Sequence, residues 1–372
     1  MDIALATTSI NKWGGASSFQ NHLAAQLREL GHTVTQYHIG RTDAHLGRVI
    51  CVDRSVVKRP DEPFVAPERL TCEWRALWDR HDVVHITNPG ALHIGFDHDQ
   101  LFGTKHGPLV LTVHDPHEIE VIGPTLLKLC ELADRVTFIG GRYMRHFVDA
   151  GYVQGFADKA RLVPQPYVRR APADKDWTKA RVAVCTSPWR PVKRIDLIVK
   201  AAGLLPVTRE TERAVSVAPL RFWAGVGVDY VEDIVEALDG YKNCDDMGSW
   251  PEFETDIVYG PARVLVNMTH FDETDTGRTE YPILEAWDYQ VLPVLPSDFA
   301  GDPGPPSEQA FRDGVNCVIV EPEPEAIAEG IMRAMDLHLP WSWYDASLEP
   351  HLTAGRAYVT VYSEAMYVGG EI

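Results

Sequence analysis

Short apolar runs alternate with amphipathic stretches from one end of the chain to the other, and that alternation restricts the fold more than any other feature. The runs predict strands at Ile3–Thr7, Thr33–His38, Val49–Val52, Val83–Thr87, Leu109–Val113 and Val136–Ile139. Between the first two, Phe19, Leu23, Leu27 and Leu30 recur at helical spacing and give residues 15–30 one apolar face. A second stripe, Leu70, Trp74, Leu77 and Trp78, predicts another helix. Strand–helix–strand repetition builds a mostly parallel sheet with helices on both faces. The segment PQPYVRRAPADKDW, residues 164–177, breaks the rhythm with proline and charge and reads as a linker. The alternation then resumes, with strands expected at Val182–Thr186, Leu220–Trp223, Val264–Met268, Val291–Leu295 and Cys317–Val320. Helices are expected at Ile195–Leu205, Val231–Leu238, Glu325–Met335 and Thr353–Met366. A chain of 372 residues exceeds one comfortable core, so two doubly wound α/β domains joined by a hinge are expected. In such sheets ligands sit beyond the carboxyl ends of the strands, so strand-to-helix loops should line the site.

The opening MDIALATTSI has no basic leader region, and no apolar run approaches the roughly 18 residues that span a bilayer. The expectation is a cytoplasmic protein, in the host cytoplasm if a phage encodes it. Cys51, Cys72, Cys130, Cys185, Cys244 and Cys317 are scattered without a C-x-x-C pair, which suggests neither a disulfide framework nor a zinc site. The formal charge of −18 argues against a phosphate-coated partner, but its distribution does not. Ten Lys or Arg fall between Lys159 and Arg194 against Asp174 and Asp176 alone, whereas Asp229 to Asp256 holds ten acids and one lysine. Either block can be a solvated face, so the average charge does not decide the partner.

Four loops could carry chemistry. After the first strand, Gly14 and Gly15 precede a helix whose free N–H groups could hold a phosphate or acceptor oxygen; a plain tight turn is the competing reading. The strand 109–113 ends in His114-Asp115, placing both at the carboxyl edge of the sheet, where a base or electrostatic stabiliser is needed. The alternative is a surface histidine and a capping aspartate. In CTSPWRPVKRIDL, residues 185–197, Arg190, Lys193 and Arg194 crowd a helix N-terminus against its dipole, which favours an anionic ligand such as a diphosphate. Finally, TEYPILEAW places Glu280 and Glu285 about 140° apart on a helix that Thr279 should cap and Pro282 should open. Helix-dipole compensation explains Glu280. It explains Glu285 less well, because Ile283, Leu284 and Ala286 around it are packing positions.

In this order the four loops resemble the retaining nucleotide-sugar glycosyltransferases of the GT-B fold, the group 1 or family 4-like enzymes. The closing FRDGVNCVIVEPEPEAIAEGI, residues 311–331, is similar to that superfamily's habitual ending, as are NHLAAQLRELGHTV and VKRIDLIVKAAGLL. Two departures stand out. The usual Glu-x7-Glu would put its first glutamate at Gly277, and the usual arginine five residues before the lysine falls on Pro188. One branch shares the first departure. Bacteriophage α-glucosyltransferases acting on hydroxymethylcytosine in DNA carry Glu-Tyr-x-x-Leu-Glu, which Glu280, Tyr281, Leu284 and Glu285 match, and His-Asp-x-His, which His114, Asp115 and His117 match.

The resemblance implies two Rossmann-like domains facing across a cleft. Residues 1–168 form the acceptor domain and 169–352 the donor domain, and a C-terminal helix, 353–372, returns to the first. It implies a nucleotide-sugar co-substrate, UDP-linked by expectation, and no required cofactor or metal. Asp272 and Asp275 read as a polar loop. Glu285 would accept hydrogen bonds from the ribose, Glu280 or the adjoining backbone would hold the sugar, and Tyr281 is a further donor-binding candidate. Arg190 and Lys193, with Gly15, would meet the diphosphate. Asp115 would take or orient the acceptor's proton beside His114. His117, Arg169 and Arg170 are candidate contacts to double-stranded DNA carrying hydroxymethylated bases. A small-molecule, glycan or lipid-linked acceptor is the alternative, and a non-catalytic nucleotide-binding protein the remote one.

Overall fold

The computed structural model describes residues 1–7, 15–38, 48–51, 70–73, 75–89, 107–114, 117–151, 156–171, 182–187, 191–205, 220–224, 244–249, 255–270, 279–300 and 311–369. The chain divides into two compact units, Met1–Val168 with Pro350–Ile372, and Arg169–Gly304 with Gln309–Glu349.

The first unit begins β1 (Asp2–Thr7), α1 (Gly15–Glu29), β2 (Thr33–His38), β3 (Arg48–Cys51), β4 (Leu70–Glu73), α2 (Arg75–Arg80), β5 (Val83–Asn88). It continues β6 (Leu109–Val113), α3 (His117–Leu132), β7 (Arg135–Phe138), α4 (Gly141–Asp149), α5 (Phe156–Lys159), β8 (Ala160–Leu162). The eight strands order as β4-β3-β2-β1-β5-β6-β7-β8. All neighbours are parallel except β3, which runs antiparallel to both β2 and β4. β1 pairs with β2 from Asp2 opposite Thr33 to Thr7 opposite His38, so both strands deliver their following loops to the same edge. Alanines of β1, Val84 and Ile86 of β5, Leu109, Leu111 and Val113 of β6 and Phe138 of β7 form one buried cluster with α3 and α4.

The stripe at 70–78 does not form one helix. Leu70–Glu73 is a strand on β3, and the helix starts only at Arg75. Backbone pairing with a distant strand wins over a local apolar period that four residues define poorly.

The second unit holds β9 (Ala183–Cys185), α6 (Ile195–Leu204), β10 (Leu220–Ala224), β11 (Cys244–Ser249), α7 (Thr255–Tyr259), β12 (Val264–Val266), α8 (Tyr281–Asp288) and β13 (Leu292–Pro296). Then follow β14 (Val318–Val320), α9 (Pro324–Asp336) and α10 (Trp341–Leu352), whose last residues join the first unit. Among the described residues its sheet is parallel, ordered β11-β10-β9-β12-β13-β14. Ile195, Ile198, Val199 and Ala202 of α6 share a buried cluster with Ile327, Ile331 and Met335 of α9, over Val264, Val266 and Val294. The helix expected at Val231–Leu238 lies outside the described residues.

The C-terminal helix α11 (Ala354–Gly369) belongs to the first unit. Its Tyr362 hydroxyl is 2.8 Å from His85 Nδ1, and His85 Nε2 is 2.7 Å from Thr112 Oγ1 in the middle of the sheet. Burial pushes His85 down to about 3, so the ring is neutral and bonds on both sides without a charge. Glu364 accepts from Arg135 Nε at 2.8 Å and Arg161 Nε at 2.9 Å, clasping α11 to β7 and β8. Where the chain leaves the unit, Gln26 of α1 donates through Nε2 to the carbonyls of Tyr167 (2.6 Å), His351 (2.9 Å) and Leu352 (3.1 Å). Its Oε1 accepts from Gly355 N at 2.7 Å, so one side chain ties the departing and returning strands of chain together. Among the described residues no helix is long and apolar enough to cross a membrane.

Candidate functional site

The second unit gathers its polar side chains where β12 ends and α8 begins. Thr279 does not cap α8. The helix opens at Tyr281 with Glu280 in the cap position, extended at φ −88° and ψ 153°, and Pro282 just inside. The Glu280 carboxylate makes no capping bond because it is engaged elsewhere. Its Oε1 lies 2.5 Å from Lys193 Nζ, and its Oε2 accepts from Asn267 Nδ2 at 2.7 Å, with Thr269 Oγ1 at 3.1 Å. Lys193 Nζ also donates to Thr269 Oγ1 at 3.0 Å. Asn267 Oδ1 accepts from Thr269 N at 3.0 Å, which fixes the amide so that its NH2 faces Glu280. Short, fully apolar β12 runs straight into this cluster, and Asn267 N still donates to Val294 O at 3.0 Å. The polar group is therefore anchored to the last rung of the sheet.

Lys193 arrives from a 3-10 turn, Pro191–Lys193, that precedes α6. Arg194 follows in the left-handed region at φ 50°, ψ 41°, a conformation that costs a non-glycine residue about 1–2 kcal/mol. Its Nη1 stands 3.4 Å from Asp298 Oδ2, and His270 Nδ1 stands 2.8 Å from the same oxygen. Two carboxylates, Glu280 and Asp298, thus offset the cations that oppose the α6 dipole.

Glu285 sits one turn further into α8 and is 9% exposed, deep enough for burial to govern its ionisation. Its Oε1 is 3.2 Å from Arg170 Nη1, and its Oε2 is 3.3 Å from the Tyr259 hydroxyl. That hydroxyl also lies 3.2 Å from Thr186 Oγ1 and 3.2 Å from Pro282 O. Burial lifts the Glu285 carboxyl to about 7; the Arg170 guanidinium and the tyrosine bond pull it down, and Asp288 pushes it up. Asp288, wholly buried at the end of α8, accepts from Arg170 N at 2.7 Å and Ala171 N at 3.0 Å. Arg169 Nη1 stands 3.5 Å from Asp288 Oδ1, and its Nη2 is 2.5 Å from Asp345. Both arginines of the expected linker are therefore paired with acids of the second unit.

In the first unit His114 follows β6 at the carboxyl edge. Its Nε2 lies 2.5 Å from Thr87 O, an acceptor only, so Nε2 carries a proton and the ring is held in a fixed orientation. The Phe19 ring meets the imidazole edge-on at 4.7 Å. Gly15 opens α1, and His117 opens α3. Asp115, Arg190, Asp272 and Asp275 lie outside the described residues. Among the described residues no three His, Cys, Asp or Glu side chains converge as metal ligands.

Of the residues singled out in the sequence, the second unit brings Lys193 to Glu280 and Arg170 to Glu285. Tyr281 is buried at the start of the same helix. Asn267, Thr269, Tyr259 and Asp288 were not anticipated. Asn267 had a readable signal, as a polar residue directly after an apolar strand. Tyr259 had none, because its contact to Glu285 spans 26 positions and depends on packing of α7 against α8.

No family model matches the chain, and no curated protein sequence does. Solved structures do. Anabaena HepE in complex with UDP and glucose is similar over 100% of both chains, at 14% identity and a TM-score of 0.61. An alpha-glucosyltransferase in complex with UDP and a 13-mer DNA containing a HMU base covers 97% of this chain and 99% of its own, at 11% identity and 0.61. An S. aureus TarM mutant in complex with Fondaparinux, alpha-GlcNAc-glycerol and UDP covers 97% of this chain and 100% of its own, at 9% identity and 0.62. At these identities the likeness is one of fold, and the fold is GT-B, an α/β chain with one mostly parallel and one parallel sheet.

Proposed function

We propose that the protein is a retaining glycosyltransferase that moves a sugar from a UDP-sugar to an acceptor hydroxyl. The observation that carries this reading is the pairing of Lys193 with Glu280 beside buried Glu285, at the carboxyl edge of a parallel sheet whose fold-mates hold UDP. Diphosphate recognition needs a cation at a helix start, and Lys193 supplies one immediately before α6. Ribose recognition needs a fixed acceptor, and Glu285 is held by Arg170 and Tyr259. As the bond from the anomeric carbon to the diphosphate oxygen breaks, its electron pair stays with the diphosphate, where Lys193 and Arg190 meet the growing charge. The acceptor oxygen bonds the anomeric carbon on the same face, and its proton passes to Asp115, beside the oriented ring of His114.

The acceptor we favour is a 5-hydroxymethylpyrimidine in double-stranded DNA. Glu280-Tyr281-x-x-Leu284-Glu285 and His114-Asp115-x-His117 support it, as does the fold-mate in complex with DNA containing a HMU base. The target base would leave the stack to reach the site. One observation favours a second reading, a glycan or small-molecule acceptor. Arg169 and Arg170, the candidate phosphate contacts, are engaged by Asp345, Asp288 and Glu285.

The deciding experiment incubates the protein with nucleotide sugars and hydroxymethylcytosine DNA and weighs the nucleosides released. A hexose or pentose added to the modified base is expected. No addition with any donor, alongside turnover on a glycan, would select the second reading. Lys193→Ala should depress both donor affinity and turnover.

A further inference from the structure

We infer that Glu280 is the built-in counter-ion of the diphosphate-binding lysine, so that the site takes up an intact nucleotide sugar in preference to the spent nucleotide. This rests on the donor reading above. It adds a competition, within the site, between ligand phosphate and a protein carboxylate.

Lys193 is a short-range partner of Glu280, at 2.5 Å, and the two side chains are only 14% and 11% exposed. An ion pair so little hydrated is costly to open unless each charge is met again. Glu280 cannot drift aside with its partner. Asn267 Nδ2 holds its other oxygen at 2.7 Å, and Asn267 is itself fully buried and fixed by Thr269 N. Thr269 Oγ1 touches both members of the pair, at 3.0 Å from Lys193 Nζ and 3.1 Å from Glu280 Oε2. The carboxylate is thus pinned at the start of α8 while the lysine reaches it from a separate turn.

A diphosphate that recruits Lys193 must draw it away from Glu280. A free nucleotide diphosphate supplies Lys193 with new charge but returns nothing to Glu280, and it brings further negative charge close to that carboxylate. A nucleotide sugar carries hydroxyl groups beyond the diphosphate that can donate to Glu280. Both ligands share the cost of opening the pair, and only the intact donor recovers it. The arrangement therefore disfavours product retention without a moving lid. Asn267 and Thr269 act as positioning residues, because they keep Glu280 where the sugar will lie.

The test is calorimetric binding of UDP and of UDP-glucose to the wild-type protein, Glu280→Gln and Glu280→Asp. The wild type is expected to bind UDP-glucose more tightly than UDP. Glu280→Gln removes the competing charge, so UDP should bind about tenfold more tightly and UDP-glucose more weakly, inverting the preference. Glu280→Asp keeps the counter-charge on a shorter arm. It should leave UDP within about twofold of wild type and weaken UDP-glucose, and it guards against a folding defect in the neutral variant. Wild-type binding of both ligands with an unchanged preference in both variants would overturn the counter-ion role and leave the donor reading standing. Binding of neither ligand, nor of any other nucleotide diphosphate and its sugar, by well-folded wild type would overturn the donor reading and this inference together.

Discussion

Arg170 Nη1 stands 3.2 Å from Glu285 Oε1, and the backbone N–H of the same arginine donates to Asp288 one turn along α8. One residue at the start of the second unit is therefore held at both its main chain and its side chain by the helix that carries the candidate ribose-binding carboxylate. Any ligand that uses Glu285 shares it with Arg170, and the ionisation of Glu285 sets how well it can accept a hydrogen bond.

Nucleotide affinity should accordingly depend on pH in a defined direction. Burial raises the Glu285 carboxyl to about 7 in the folded protein. The anion accepts ribose hydroxyls and the protonated acid accepts them poorly, so UDP affinity should rise as pH increases through about 7. Glu285→Gln should flatten that rise and weaken binding at pH 8 by roughly ten- to 150-fold, the worth of one hydrogen bond to a charged group, about 1.5–3 kcal/mol. Arg170→Ala should move the midpoint upward, because the guanidinium stabilises the anion. The same group affects folding with the opposite sign. Its folded value lies above its unfolded one, so its stabilising contribution is complete below pH 4.5 and is lost as pH rises through about 7. Calorimetric titration across pH 6–8.5 reads the first effect, and urea melts read the second.

The crossing points of the first unit should be sensitive to one glutamine. Gln26 is 5% exposed and serves three carbonyls and the Gly355 N–H. Gln26→Ala removes the four hydrogen bonds of this knot and should cost about 2–3 kcal/mol in urea unfolding. Gly355→Ala attacks the same knot sterically, since an added Cβ would stand 2.8 Å from Gln26 Cβ. A loss of about 1–3 kcal/mol is expected. Wild-type stability in both variants would mean that the returning chain is held by other contacts.

The sequence was most legible where physics is local. Buried parallel strands such as Leu109–Val113 and Val264–Val266 announce themselves as apolar runs, and α9 begins and ends within a residue of its expected bounds. Edge strands did so unevenly: β14 stood out as the run Cys317–Val320, and β11 did not. β11, CDDMGS, is polar and lies at the margin of its sheet, so no apolar run marks it. The α8 cap was misplaced from Thr279 to Glu280 because capping preference assumes a free side chain, and Glu280 is committed to Lys193 and Asn267. Lys193 was visible as a cation set against a helix dipole and Glu285 as a charge among packing positions, whereas dipole compensation alone accounted for Glu280. That Arg170 would face Glu285, 115 positions away, required the fold.

The clasp on α11 should contribute little despite its two arginines. Glu364 is 33% exposed, and ion pairs in contact with water are worth about 1 kcal/mol or less. Arg135 and Arg161 hold its carboxyl below the usual range, so its contribution is present above the unfolded value of about 4.5 and disappears as pH falls through the lower folded one. Glu364→Gln should therefore shift the urea midpoint slightly at pH 7 and less at pH 3. A loss of several kcal/mol at neutral pH would show the clasp to be far less hydrated than its exposure indicates.

Gly330 offers the clearest contest between propensity and packing. It lies within α9, where alanine should gain about 1 kcal/mol of helix propensity over glycine. A Cβ at this position, however, would collide with Val320 Cγ1 and stand 3.3 Å from Val294 Cγ1 and 3.7 Å from Val318 Cγ1. Those valines belong to β13 and β14, whose main chains are fixed by pairing from Val294 opposite Val318 to Pro296 opposite Val320. Neither strand can recede without breaking that ladder, so α9 must lift. Overpacking of this kind costs about 1–3 kcal/mol, and it should exceed the propensity gain. Gly330→Ala is expected to lower stability by about 1–2 kcal/mol, and Gly330→Ala with Val320→Ala should recover part of that loss because the colliding methyl is gone. A stabilised single variant would show that α9 sits loosely enough on the sheet for local helix preference to decide.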